Sequence, residues 1–271
     1  MHLHRAPLLL FTALLAGAGA LPAAAPRTTT QAPAPTYAPG PTHLPPPQPP
    51  RCADVASLDL ERILPSPPAA HSAQERAELA ELLQIQRQRT PRQAVRARAD
   101  AAVSVFRFAD AFAHPQRFNP ASLPLTTALF DELTREEASV MLRAKNEFAR
   151  PRPFRSDARL SPVIELPTSA SYPSGHSTFA RATGLVLADM VPERRVQILA
   201  RAQEYAHNRM VAGVHYPSDV EAGALAGTAL AAMLFACPSF QAQEAAAKLE
   251  LRAALGLAPV AEGGTLPARG R

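Results

Sequence analysis

From residue 51 onward the chain holds no run of alternating β-branched residues long enough for a strand, and its apolar residues recur instead at spacings of three and four. A chain patterned in this way can bury its apolar side chains only by packing helix against helix, so an all-α fold is expected. Ser72 and Glu75 form a capping box ahead of "AQERAELAELLQIQRQR", whose Leu79, Leu82 and Leu83 share one face. Thr90 and Pro91 open a second helix, predicted to reach about Phe112 with Val95, Ala99, Ala102, Val103 and Phe106 buried. A further capping box, Thr134 with Glu137, predicts the start of the helix that carries Met141, Leu142 and Lys145. Arg150-Pro151-Arg152-Pro153 ends it, because residues before proline leave the helical region. Helices are then expected over Gly175 to Met190, Pro192 to about Val211, Ser218 to Ala236 and Ser239 to Leu255.

The chain ends are of another kind. Residues 1–20 combine Arg5, an apolar stretch from Leu8 to about Leu15 and the small residues Ala18-Gly19-Ala20, the layout of a cleavable secretory signal. Residues 21–50 contain 11 of the 29 prolines and almost no large aliphatics, so they read as a disordered spacer that cannot bury enough surface to order itself. The helical domain is expected over 51–256, with a flexible tail at 257–271. Two cysteines frame that domain, Cys52 and Cys237. In an exported protein they could form one disulfide joining its ends, with two buried thiols as the other reading.

Net charge is +5 and the pI about 9.8, but the arginines are scattered among acids along helices, which describes solvated faces and gives no sign of a nucleic-acid partner. Ala222 to Cys237 carries no charge, yet its 16 residues fall short of the ~20 needed to span a bilayer, so no spanning helix is expected once the signal is removed. Oligomeric state is open, and a homo-oligomer is compatible with everything above.

Three clusters remain: Lys145 and Arg152-Pro153 in "KNEFARPRP", Pro173-Ser174-Gly175-His176, and Arg209, His215 and Asp219 in "RMVAGVHYPSD". Each alone has a plain account. Lys145 and Arg152 could complement a helix C-terminus, His176 could be an ordinary first-turn residue, and His215 with Asp219 could be a structural pair. Together, each falls at the end of an element, where side chains can converge.

This order resembles the phosphatidic acid phosphatase type 2 (PAP2) superfamily, whose pattern is Lys-x6-Arg-Pro, Pro-Ser-Gly-His, and Ser-Arg-x5-His-x3-Asp. Asn208 stands here where the family usually has Ser. Over residues 55–240 the chain is most similar to class A bacterial non-specific acid phosphatases, whose Gly-Ser-Tyr-Pro-Ser-Gly-His-Thr signature departs here at Ala170 and Ser177. "SVFRFADAF" and "FNPASLPLT" also resemble that class.

The resemblance implies a helical bundle shared with vanadium haloperoxidases and a secreted or periplasmic acid phosphatase acting on small phosphomonoesters, without metal or cofactor. It implies His215 as nucleophile, forming a phosphohistidine, Asp219 as its partner and His176 as general acid. Lys145, Arg152, Ser174, Gly175 and Arg209 would hold the phosphate, and such a phosphoenzyme could also pass its phosphate to an alcohol. The chemistry agrees. Three cations with a hydroxyl and backbone N–H groups at a helix N-terminus suit a phosphate, and two histidines suit attack and protonation near neutral pH. His71, His114 and His207 form no ligand spacing with acids or cysteines, and full activity in excess chelator is expected. The other readings are a vanadate-dependent haloperoxidase, a lipid phosphatase, and a phosphate-binding helical protein without catalysis.

Overall fold

Ten α-helices and three short 3-10 segments, with no strand, make up the described residues 52–259 of the computed structural model. The expected signal (1–20) and spacer (21–50), and the tail from residue 260, lie outside the described residues. Two single turns, α1 (Ala53–Ala56) and α2 (Leu60–Ile63), lead to α3 (Ala73–Gln88), capped by Ser72 as expected, and α4 (Pro91–Ala99). Then follow α5 (Pro124–Phe148), the single turn α6 (Pro153–Ser156), α7 (Gly175–Met190) and α8 (Arg195–Val211). The chain closes with α9 (Pro217–Ala236) and α10 (Pro238–Leu255).

α7 is the axis of the core. Phe179, Val186, Leu187 and Met190 are buried along it, because α8 and α9 pack on its flanks and α5 and α10 contact it as well. α9 comes close enough that its backbone meets that of α7: a methyl group at Gly223 would lie 2.5 Å from Ser174 O, and one at Gly227 would clash with Thr178 O. The glycine pair thus lets the start of α9 press on the start of α7. α9 is longer than the charge-free run within it, at 20 residues. It is the one helix among the described residues with length and mean hydropathy (1.4) sufficient for a bilayer, and 44% of that window is buried inside the protein.

Two sequence expectations are corrected. The second helix stops at Ala99 instead of reaching Phe112, because Asp100 turns inward, fully buried, and accepts from Arg107 Nε (2.9 Å), Arg201 Nη2 (2.6 Å) and Asn208 Nδ2 (2.7 Å). Three donors around one carboxylate outweigh continued helix bonding, and Val95, expected inside, is 62% exposed while Ala94 and Ala97 face the core. Nor does Thr134 cap a helix. α5 already starts at Pro124, and Thr134 sits mid-helix with its hydroxyl donating to Phe130 O (2.7 Å). Its first turn is capped from outside: Glu250 of α10 accepts from Leu125 N (2.9 Å) and Thr126 N (2.8 Å).

Cys52 and Cys237 are bonded, with Cα atoms 5.8 Å apart. The bridge ties the residue before α1 to the junction of α9 and α10 across a separation of 185 residues. Chain-entropy reasoning puts the stabilisation from closing such a loop at about 5 kcal/mol. The double variant Cys52→Ser/Cys237→Ser is therefore expected to unfold at clearly lower urea concentration than the oxidised protein, and coincident denaturation curves would refute this.

Candidate active site

Three chain breaks deliver the motif residues to one place. α5 ends when Ala149 takes the left-handed conformation (φ 44°), so Lys145 projects from the last turn and Arg150–Pro153 runs on extended. Lys145 Nζ donates to Ala170 O and Pro173 O, both at 2.8 Å, which moors it beneath the loop entering α7. Arg152 donates from Nε to Ser169 O (2.9 Å) and from Nη1 to Val214 O (2.9 Å) and His215 Nε2 (2.8 Å).

Ser174 caps α7, accepting from Ser177 N (3.3 Å), and its own N–H donates to Asp219 O (3.0 Å), so α7 and α9 begin on a shared bond. A methyl group at Gly175 would lie 3.0 Å from Glu137 Oε1, close enough that the glutamate side chain would have to shift to admit it. Arg209, in the last turn of α8, is 2% exposed, and its Nε and Nη1 have no partner. A buried guanidinium with two free nitrogens is costly unless an anion completes it.

Two hydrogen bonds decide the histidine tautomers. Arg152 only donates, so His215 Nε2 carries a lone pair and Nδ1 carries the proton, directed at Asp219 Oδ2 (3.2 Å). His176 Nε2 faces Ala101 O at 3.0 Å, and a carbonyl only accepts, so Nε2 carries the proton there and Nδ1 is open. The turn at Asp100 that cut α4 short is what places this carbonyl. Tyr205 steadies the arrangement by donating its hydroxyl to Ala102 O (2.5 Å) and stacking on the His176 ring at 6.2 Å.

Burial and like charge set the protonation states. Burial, then Arg152, Lys145 and Arg209, hold His215 well below the ordinary imidazole range; burial, then Arg209, does the same to His176. Burial, then Arg152, pulls Lys145 down to about 7. Arg152 and Arg209 are lowered to about 10, chiefly by burial, and stay cationic at neutral pH. Burial pushes Glu137 up to about 8, with Lys145 opposing it. Burial is the largest cause of each lowered basic group here, and like charge among the cations adds to it for Lys145, Arg152 and both histidines.

The residues of the three motifs thus meet at the shared start of α7 and α9. Lys145, Gly175 and His176 keep partial exposure, whereas Arg152, Ser174, Arg209, His215 and Asp219 are buried. The sequence reading missed several partners: Arg150 and Ser171 on Asp219, Glu78 on Arg150, and Ala101 on His176. "RPRP" offers two arginines, and spacing alone marks only the second; Glu78 lies on a helix that carries no motif. Asn208, the departure from the family pattern, uses its amide to tie α8 to Asp100. Among the described residues no group of three or more His, Cys, Asp or Glu is placed to hold a metal.

Fold and site together place the chain among all-α proteins that gather cations and histidines at the start of a buried helix. A PAP2 superfamily profile matches residues 124–242, a span that includes every motif residue. The non-specific acid phosphatase of Salmonella typhimurium (strain LT2) is 34% identical over 159 residues, covering 56% of this chain and 64% of that protein. The lipid A 1-phosphatase of Rhizobium etli is 37% identical over 100 residues, covering 36% and 41%. Among solved structures, the first bacterial vanadium-dependent iodoperoxidase shares the fold with a TM-score of 0.50 at 18% identity, over 66% of this chain and 53% of that one. The chain spans less than two thirds of the length of these relatives.

Proposed function

We propose that this protein is an exported acid phosphatase that hydrolyses phosphomonoesters through a phosphohistidine on His215. The observation that carries the reading is Arg209: a buried guanidinium with two unpartnered nitrogens, beside Lys145 and Arg152 at the first turn of α7, is completed by a tetrahedral oxyanion. The phosphate of the substrate takes these three cations, the Ser174 hydroxyl and the free N–H groups of that turn. Arg152, drawn onto the phosphate oxygens, releases the His215 Nε2 lone pair that it otherwise holds.

His215 Nε2 then attacks phosphorus from the buried side. The P–O bond to the leaving group breaks on the side where Lys145, Gly175 and His176 are partly exposed, and His176 Nδ1 gives that oxygen a proton. Asp219 Oδ2 accepts from Nδ1–H throughout and balances the charge that grows on the ring. In the second half water attacks phosphorus and loses a proton to His176, and the P–N bond returns its electron pair to Nε2. An alcohol in place of water gives phosphate transfer.

The signs of the shifts predict the pH dependence. His215, with its basicity depressed, stays neutral and nucleophilic well into acid. His176 is held well below the ordinary imidazole range, chiefly by burial, so its proton must arrive with the substrate, and phosphomonoester monoanions persist only below pH ~6. Lys145 loses its charge above about 7, which weakens anion binding as pH rises. A bell-shaped kcat/KM profile with an acidic maximum is expected for p-nitrophenyl phosphate, unchanged in excess chelator. A flat profile from pH 4 to 9 would remove the histidine pair from the mechanism.

The shared fold with an iodoperoxidase gives the second reading, a vanadate-dependent haloperoxidase. Halide oxidation by peroxide after adding vanadate, measured beside phosphate release, separates the two.

A further inference from the structure

The mechanism leaves one buried charge network unused. Arg150 is 5% exposed, and its Nη1 donates to Asp219 Oδ1 (2.7 Å) and Ser218 Oγ (2.8 Å) while Nη2 donates to Glu78 Oε2 (2.8 Å). Its guanidinium lies over the Tyr216 ring, 3.7 Å from the centroid. Its backbone carbonyl accepts from Ser171 N (2.8 Å), and the Ser171 hydroxyl donates to Asp219 Oδ2 (2.5 Å). Glu78 closes the circuit by accepting Ser218 N on Oε1 (2.8 Å). One arginine therefore joins α3, the loop before α7 and the first turn of α9 around Asp219.

Asp219 needs such a partner. It is fully buried, and burial, the largest influence, raises its pKa above the ordinary carboxylate value even with Arg150 beside it. The groups that face it are Ser171 and Tyr172 from the loop before α7, Tyr216 N–H and His215 from its own segment, Lys145 from α5, Arg152 from the start of α6, and Arg150. Arg150 is the cation in direct contact. It occupies Oδ1, which leaves Oδ2 to take the Ser171 hydroxyl, the Tyr216 N–H (2.9 Å) and His215 Nδ1–H. A proton on Asp219 would turn one oxygen from acceptor to donor, loosen the hold on Nδ1–H, and free the imidazole to place its proton on Nε2, the attacking atom.

We infer that Arg150 is a positioning residue for His215: by pairing with Asp219 Oδ1 it opposes the effect of burial, extends toward acid the range in which that carboxylate is ionised, and turns Oδ2 onto Nδ1–H. The inference rests on the proposed role of His215, and it concerns the acid limit of activity. Glu78 acts in the opposite sense, since its negative charge draws on the same guanidinium.

The test uses Arg150→Gln, Arg150→Lys and Glu78→Gln in the full chain, with kcat and KM measured from pH 4 to 8 and 15N-histidine NMR of the His215 ring over the same range. Arg150→Gln is expected to move the acid limb of kcat up by about one pH unit or more, with KM changed far less, and the Nδ1–H signature should be lost at correspondingly higher pH. Arg150→Lys restores the limb, because the charge returns even though the fork does not. Glu78→Gln moves the limb the other way, toward lower pH. A folded Arg150→Gln protein whose acid limb and Nδ1–H titration match wild type overturns the inference, as does an upward shift in Glu78→Gln; this second variant decides the matter if the first fails to fold. Absence of phosphatase turnover in the wild type would count against the proposed function instead, and the NMR comparison would still decide the role of Arg150.

Discussion

His215→Ala is expected to lower kcat for p-nitrophenyl phosphate by about 10⁴-fold or more, with phosphate affinity largely kept. The size follows from the geometry. His215 Nε2 carries a lone pair fixed by two partners: Asp219 holds the proton on Nδ1, and Arg152 marks the other side. Removing the ring leaves the three cations in place, so inorganic phosphate should still raise the melting temperature of the variant. Trapping provides a second readout. Wild type quenched during turnover of a 32P-labelled substrate should retain acid-labile label on histidine, and the variant should not. Equal turnover in the two proteins would sink the mechanism.

His176→Ala carries the second large effect, and its diagnostic is the leaving group. A general acid contributes about 10²–10⁴-fold where the departing oxygen is basic and little where it is not. The variant should therefore lose activity severely on an alkyl phosphate such as glycerol phosphate and much less on p-nitrophenyl phosphate, whose leaving group departs readily as an anion. On the proposed mechanism the transferable proton is the one on Nδ1, because Ala101 O holds the one on Nε2. Equal losses on the two substrates would assign His176 to binding instead. The same logic sets the pH readout, since burial and then Arg209 hold His176 well below the ordinary imidazole range, and on the proposed mechanism it gains its proton only as the phosphate's negative charge offsets Arg209, Arg152 and Lys145.

How much of this was legible in the chain depended on whether a signal was local. The helix start at Ser174 was readable because the cap, the small residues and the apolar run are contiguous, and the helix begins at Gly175 as expected. The convergence of Lys145, Arg152, His176, Arg209, His215 and Asp219 was readable because each sits where an element ends. The cysteines framed the domain and left their pairing open until the fold brought their Cα atoms within 5.8 Å. Local signals failed where a distant partner outweighed them. Thr134 and Glu137 satisfied the capping-box pattern, yet Glu250, from α10, capped α5 at its true start. The stretch after Ala99 kept a helical pattern, yet Asp100 was drawn in by Arg107, Arg201 and Asn208.

By itself, then, the sequence determined the helical class, since period and capping act within a few residues, and it named the motif residues of the site, because their types, order and spacing are written in the chain itself. Only the tertiary structure decided which nitrogen of each histidine carries the proton. Those protons are set by Asp219 and Arg152 on one ring and by the Ala101 carbonyl on the other. Of these only Asp219 lies near its histidine in the chain; Arg152 is 63 residues from His215, and Ala101 is 75 from His176. A hydrogen bond acts over about 3 Å, and such partners come within reach only when α7, α8 and α9 have packed.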